Sequence, residues 1–348
     1  MEEKFKDKRF RETSERIDRL LNLLPFYVKE YDLYLTDTVQ IKTRAEYLQD
    51  LYTFMRYLVQ NNPTVNNTSD ITLDTLQALN LSDFNEYKAY LHSYSYGDKT
   101  YNNSVTTLRR KLTSLKRFYH FLFISDMIST NPAEKIVMPA VKSKKRSEIR
   151  ILENNEKFEI FDAFENKLNT TLSPVKRAAV LRDKAIFYLF LGTGLRVSEL
   201  CAIDLENINF KLKYINVIRK EDLDSDGTTD RVYLSDAVCE ALIAYINERN
   251  ILLPPEGSDA LFLSSKKQRI TTRGVEKMVK KYADENLAVG SGITPHKLRA
   301  TFGTNYYAFT SDITATSSVM NHSDISTTAR YYLKEDKQAK MRVKDMEI

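Results

Sequence analysis

The sequence predicts a mainly α protein with a small antiparallel β-sheet, built as two domains. Three observations predict it. The chain has 348 residues, and at about 150 residues per domain that length suits two. Its nine Gly and eight Pro together fall below half of the usual level of about 12%, which argues against collagen-like, linker-like and Gly-rich β architectures. Apolar residues recur mostly at helical spacing, and only three short runs in the second half read as strands. Hydrophobic residues at 42% and charged residues at 28% supply two cores and exclude a disordered chain. No apolar run approaches the roughly 18 residues of a membrane span, and the opening Met1-Glu-Glu-Lys-Phe-Lys-Asp-Lys-Arg lacks the apolar segment of a signal peptide. The expectation is therefore a cytoplasmic protein without membrane insertion. Cys201 and Cys239 lie in apolar stretches with no CxxC partner, so they read as buried thiols rather than as metal ligands or a disulfide. Neither a metal nor a cofactor is expected.

The first domain, residues 1–140, reads as helices separated by polar loops. Ala45 to Val59 carries Tyr47, Leu48, Leu51, Phe54, Met55 and Leu58 at helical spacing, and the pattern returns around Leu76 to Leu91. Thr106 to Ile124 is the most informative stretch. At about 100° per residue, Leu108, Leu112, Leu115, Tyr119 and Leu122 fall within about 80° of arc, one buried stripe. Arg109, Arg110, Lys116 and Arg117 point away from that stripe, with Lys111 at its flank. No acid occurs between Tyr101 and Ser125. A solvated face usually mixes signs, so this helix is expected to face phosphates.

Charge is unevenly placed along the chain. Residues 1–140 hold 19 Lys and Arg against 18 Asp and Glu, and residues 151–348 hold 28 against 28. The segment between them, Val141 to Arg150, holds five basic residues and one acid. It follows Asn131-Pro132 and Met138-Pro139, both helix-ending signals, and so reads as a basic interdomain linker. Lys142, Lys144, Lys145 and Arg146 are either a solvated charge run or a strap along a polyanion.

The second domain, 151–348, mixes helix with a small sheet; Val180 to Leu191 is an apolar helix that breaks at Gly192-Thr-Gly194 before a new helical pattern from Leu195. Ile208 to Phe210, Tyr214 to Ile218 and Arg231 to Leu234 follow as β-like runs, and Asp226-Gly227 makes the last two a hairpin with Lys220 near its turn. From Ser235 the pattern is largely helical. In Thr294-Pro295-His296-Lys297-Leu298-Arg299, Thr294 caps a helix whose first position is Pro295. His296 and Arg299 are three apart and share a face near that start, where unpaired backbone N–H groups favour anions, most simply a phosphate.

Arg196, Lys220, His296, Arg299, His322 and Tyr331 together resemble the tyrosine recombinases of the phage-integrase type. The matching stretches are Gly192 to Leu200, Val217-Ile-Arg-Lys220, His296-Lys-Leu-Arg299, and His322 with Tyr331 nine positions later. Their joint order and spacing covers Ile151 to about Leu333. The first domain is similar in outline to the family's helical core-binding domain. The chain looks like the Xer subgroup, and its long amino-terminal lead is closest to the single-enzyme XerS type. The resemblance implies a two-domain clamp, a helical core-binding domain joined to a mixed α/β catalytic domain. The chain departs from the family pattern at Asn321, where Gly often stands, and in the long acidic stretch Glu221 to Asp230. Tyr332 stands beside Tyr331, and the nine-residue spacing favours Tyr331.

The roles that the resemblance implies suit the residue types. A phenol of pKa about 10 is protonated at neutral pH, so Tyr331 needs a proton acceptor, His296, and a positive field to attack phosphorus. Arg196 and Arg299 would stabilise the charge of the transition state, His322 would hydrogen-bond the same phosphate, and Lys220 would protonate the departing 5′ oxygen. The implied activity is site-specific cleavage and rejoining of double-stranded DNA through a 3′-phosphotyrosyl intermediate, serving chromosome-dimer resolution in a nucleoid-associated enzyme. A mobile-element integrase and a non-catalytic DNA-binding protein are the alternatives. Implied partners are a DNA site, a homo-tetramer on two sites and a DNA translocase. Phosphate contacts are expected from Arg109, Arg110, Lys116 and Arg117, from the linker lysines and Arg146, and from the second basic run that contains Lys266, Lys267 and Arg273.

Overall fold

A computed structural model describes residues 5–140, 150–170, 173–219, 229–288 and 292–321, with side chains from residue 10 onward. The chain divides into two compact units, 1–146 and 147–348.

The first unit contains α1 (Phe5–Leu21), α2 (Val28–Thr36), α3 (Ile41–Asn61), α4 (Leu73–Ala78), α5 (Leu81–His92), the strands β1 (Ser93–Tyr96) and β2 (Lys99–Asn102), and α6 (Val105–Ile124). Helix α5 starts at a capping box between Asn80 and Asp83, and α6 starts where Ser104 Oγ accepts the Thr107 N–H. The stripe of α6 is buried as its spacing requires: Leu108, Leu112, Leu115, Tyr119 and Leu122 all lie in the core. Burying each of these leucines contributes roughly 2 kcal/mol relative to exposure. Against them, Phe84 meets Tyr119 edge-on at 5.5 Å and Phe54 meets Tyr87 at 4.9 Å, the geometry that ring quadrupoles favour.

The β1–β2 hairpin corrects the expectation of helices and loops alone in this half. Ser93 pairs with Asn102 and Tyr96 with Lys99, leaving Gly97-Asp98 as a two-residue turn. Gly97 takes φ +53° there, a conformation that glycine adopts without penalty. Tyr94 stacks on Tyr101 at 5.0 Å and on Tyr90 at 5.0 Å, so aromatic packing holds a segment that helical periodicity overlooks.

The second unit contains α7 (Asn154–Asn169), α8 (Pro174–Thr193), α9 (Val197–Ala202), β3 (Ile208–Asn209), β4 (Tyr214–Ile218), β5 (Thr229–Tyr233), α10 (Asp236–Arg249), α11 (Thr272–Asn286), α12 (Pro295–Thr310) and α13 (Ile313–Val319). Helix α8 is apolar around most of its circumference and runs through the core, packed by α7, α10 and α12. The sheet is antiparallel in the order β3-β4-β5, with Ile215 opposite Val232 and Val217 opposite Asp230. Ile215, Val217 and Val232 are buried on one face. Their register sets β5 as Thr229–Tyr233, two residues earlier at its start than the expected run. Both cysteines are buried. Among the described residues no helix is long and apolar enough to cross a membrane.

Candidate active site

Two breaks in α-helix and one turn build the site. Helix α8 ends at Gly194, which caps it in the left-handed conformation, φ +62°. The left-handed angle is one reason for glycine and crowding is the other. A Cβ there would lie 2.9 Å from Phe302 Cε1 and 3.1 Å from Met320 Sδ, with Phe302 Cδ1 closer still. The chain then turns into α9, whose N-cap is Arg196.

Arg196 is anchored from two sides. Its backbone N–H donates to Glu199 Oε2 at 2.8 Å and its Nη1 to Glu199 Oε1 at 2.8 Å, while Nη2 donates to the Asn321 carbonyl at 2.7 Å. Arg299, buried on α12, donates through Nη1 to the Gly194 carbonyl and through Nη2 to the Met320 carbonyl. The two guanidinium groups therefore meet on consecutive carbonyls of one turn, Met320 and Asn321. Asn321 holds φ +45°, a region in which Asn is tolerated better than most residues with a Cβ. The departure from the glycine common in the family keeps the left-handed turn.

His296 sits one turn before Arg299. Thr294 caps α12 by accepting the Lys297 N–H and Pro295 takes the first position, as the sequence predicts. His296 is exposed to solvent on one side. Partial burial of its ring, followed by the charge of Arg299, lowers its pKa from the ordinary 6.5. Both causes favour the neutral form of the ring, the form that can accept a proton. The α7 end of the unit is tied to the same helix, because the Leu152 N–H donates to Thr301 Oγ1 at 2.8 Å.

Arg196 and Arg299 thus meet on one turn, and His296 stands one helical turn from Arg299, within reach of its charge. Lys220, His322, Tyr331 and Tyr332 lie outside the described residues, as do Lys142, Lys144, Lys145 and Arg146. The sequence reading gave no role to Glu199 or Arg219. Glu199 is buried and also accepts from Arg219 Nη1 at 3.3 Å. Its signal was the spacing Arg196-x-x-Glu199 at a helix start, a capping-box arrangement.

The basic residues of α6 are more compensated than the acid-free stretch suggested. Asp50, far away in sequence on α3, holds Arg110 through both carboxylate oxygens and takes Lys111 Nζ at 3.0 Å. Lys111 is buried rather than flanking. Arg109 donates to the Pro139 carbonyl at 2.7 Å, Lys116 to the Glu134 carbonyl at 2.8 Å, and Arg117 lies over the Tyr47 ring. In the second basic run Lys266, Lys267 and Arg273 are exposed. Arg269 instead bonds Asp204 and the carbonyls of Cys201 and Ile203.

The model of the phage integrase family matches residues 152–338, more than half of the chain and all of the residues above that come from the second unit. The chain belongs to the phage integrase family. It is a tyrosine recombinase, an enzyme of site-specific recombination that breaks and rejoins DNA. This recombinase is 29% identical to the tyrosine recombinase XerS of Streptococcus mutans over 344 residues, covering 91% of this chain and 94% of that protein. It is 31% identical to the tyrosine recombinase XerC of Caldanaerobacter subterraneus subsp. tengcongensis over 315 residues, covering 86% and 80%. In fold it is similar to the Tn1549 transposon integrase in complex with circular intermediate DNA, with TM-score 0.62 and 20% identity, covering 94% of this chain and 99% of that one.

Proposed function

We propose that this recombinase cleaves a double-stranded DNA site through Tyr331. In that step the Tyr331 oxygen bonds to phosphorus, the bond to the 5′ oxygen breaks, and a 3′-phosphotyrosyl intermediate results. His296 accepts the phenolic proton, Arg196 and Arg299 bind the non-bridging oxygens, His322 hydrogen-bonds the phosphate, and Lys220 donates a proton to the leaving 5′ oxygen. The diester energy is kept in the phosphotyrosyl bond, so a 5′-hydroxyl from another strand reseals it without ATP.

The observation that carries this reading is the meeting of Arg196 and Arg299 on the carbonyls of Met320 and Asn321, directly before His322 in the sequence. Each donor aimed at developing phosphate charge contributes roughly 10²- to 10³-fold in rate. The extent of the XerS match, along nearly the whole of both chains, supports chromosome-dimer resolution as the biological task, with a homo-tetramer on two sites and a DNA translocase as partners in the cytoplasm. The fold likeness to a transposon integrase supports the second reading, recombination of a mobile element. We assign residues 1–140 to core binding, 141–150 to a basic linker along the backbone, and 151–348 to catalysis. Arg109, Lys116, Arg117, Lys266, Lys267 and Arg273 are the phosphate contacts of this reading, with Arg110, paired to Asp50, a weaker one.

A nicked suicide duplex carrying the host's resolution site tests the chemistry. The native protein forms a covalent adduct that Tyr331→Phe abolishes and Tyr332→Phe leaves intact; an adduct that survives in Tyr331→Phe overturns the assignment. Failure of a deletion strain to resolve chromosome dimers separates the dimer-resolution task from the mobile-element one.

A further inference from the structure

Arg219 has no counterpart among the reacting groups, yet it is among the few buried charged residues of the second unit, 5% exposed. It stands one residue past the end of β4 and immediately before Lys220 in the chain. Its guanidinium spans two carboxylates. On one side Nη1 donates to Glu199 Oε2 at 3.3 Å, the same carboxylate that holds the backbone and side chain of Arg196. On the other side Nε at 2.9 Å and Nη2 at 2.8 Å engage Asp230 Oδ2 on β5. Asp230 pairs with Val217 in the sheet, so this ion pair ties the end of β4 to its partner strand where the ladder stops.

We infer that Arg219 is a positioning residue for proton donation to the leaving group: it pins the end of β4 to Glu199 and Asp230, and so sets where the chain delivers Lys220 relative to Arg196. The inference rests on the role proposed for Lys220. Burial of the guanidinium between two carboxylates favours one geometry, since any excursion of β4 leaves a charge unpaired in a desolvated place. Glu199 still binds Arg196 through two hydrogen bonds when Arg219 is absent, so the larger effect falls on the hairpin.

The test compares two leaving groups in the same suicide duplex. One carries the ordinary bridging 5′ oxygen, and the other carries sulfur at that single position. A thiolate departs without a proton because its conjugate acid is far stronger than an alcohol. Arg219→Gln is expected to slow adduct formation on the oxygen substrate by about ten- to a hundred-fold, as a misplacement of about 1 Å does, and to stay within about threefold of native on the sulfur substrate. Asp230→Asn, at a half-exposed partner that leaves Glu199 and Arg196 untouched, is expected to show the same rescue from a smaller loss. Equal losses of Arg219→Gln on both substrates, or no loss on either, overturn the inference. Lys220→Met separates it from the reading beneath: if sulfur fails to rescue that variant, Lys220 is not the proton donor and both fall, whereas rescue of Lys220→Met but not of Arg219→Gln removes Arg219 alone.

Discussion

The Arg110–Lys111 pair of α6 and the two arginines that meet at the Met320–Asn321 turn are held by different mixtures of oxygen. On α6, Arg110 and Lys111 share the buried carboxylate of Asp50, and Glu46 lies 3.9 Å from Arg110. In the catalytic unit Arg299 donates to two carbonyls and Arg196 divides itself between Glu199 and a carbonyl. A carbonyl oxygen orients a guanidinium without cancelling its charge, whereas a carboxylate does both. Counting basic side chains along a helix therefore overstates its pull on phosphates; Glu199 offsets part of the charge of Arg196 in the same way, while the carbonyls under Arg299 orient it without doing so.

The sharpest attack on this contrast is Arg299→Lys. An ammonium cannot span the carbonyls of Gly194 and Met320 as a planar fork does, so adduct formation is expected to fall by about 10²- to 10³-fold. A fall of less than threefold in a single-turnover assay removes Arg299 from the site. Next comes Gly194→Ala, which forces a Cβ at φ +62° against Phe302 and Met320. The expected cost is about 2–4 kcal/mol in chemical denaturation, together with loss of adduct, since the same residue supplies the carbonyl under Arg299.

On the other side of the contrast, Asp50→Ala leaves Lys111 buried without its carboxylate and is expected to cost about 3–5 kcal/mol. Asp50→Leu with Lys111→Met restores most of it. A single mutant of native stability shows that the pair is not what neutralises α6. Binding measured against salt concentration sharpens the point. Arg117→Gln is expected to reduce the slope by about one phosphate contact and Arg110→Gln by less than half of that. Equal changes in slope break the argument from Asp50.

The smallest effect is a titration. His296 has a lowered pKa in the fold, so its C–H resonances are expected to titrate with a midpoint below 6.5 in the DNA-free protein. The unfolded chain binds that proton more readily, so this group's contribution is intact above about pH 6.5 and is lost as pH falls below it. A midpoint at or above 6.5 contradicts the influence of Arg299 and burial on this ring.

Much of this was legible in the sequence, for local reasons. The cap at Thr294-Pro295, the break at Gly194 and the leucine stripe of α6 depend on neighbours within a few residues, and the sequence states them directly. The grouping of Arg196 with Arg299 was legible only through resemblance, since 102 residues separate them. What escaped was set by contacts across sequence distance. Asp50 reaches Arg110 from 60 residues away and Arg219 reaches Glu199 from 20. Nothing in either local pattern announces the partner. The β1–β2 hairpin escaped for another reason: Ser-Tyr-Ser-Tyr is a weak strand signal until Tyr101 and Tyr90 stack on it.

The turn at Met320 and Asn321 is gripped by both guanidinium groups, and Met320 Sδ also presses toward the end of α8 at Gly194. This makes it a mechanical junction. A displacement of this turn would loosen one anchor of each arginine, while Glu199 and the Gly194 carbonyl still hold them from the other side.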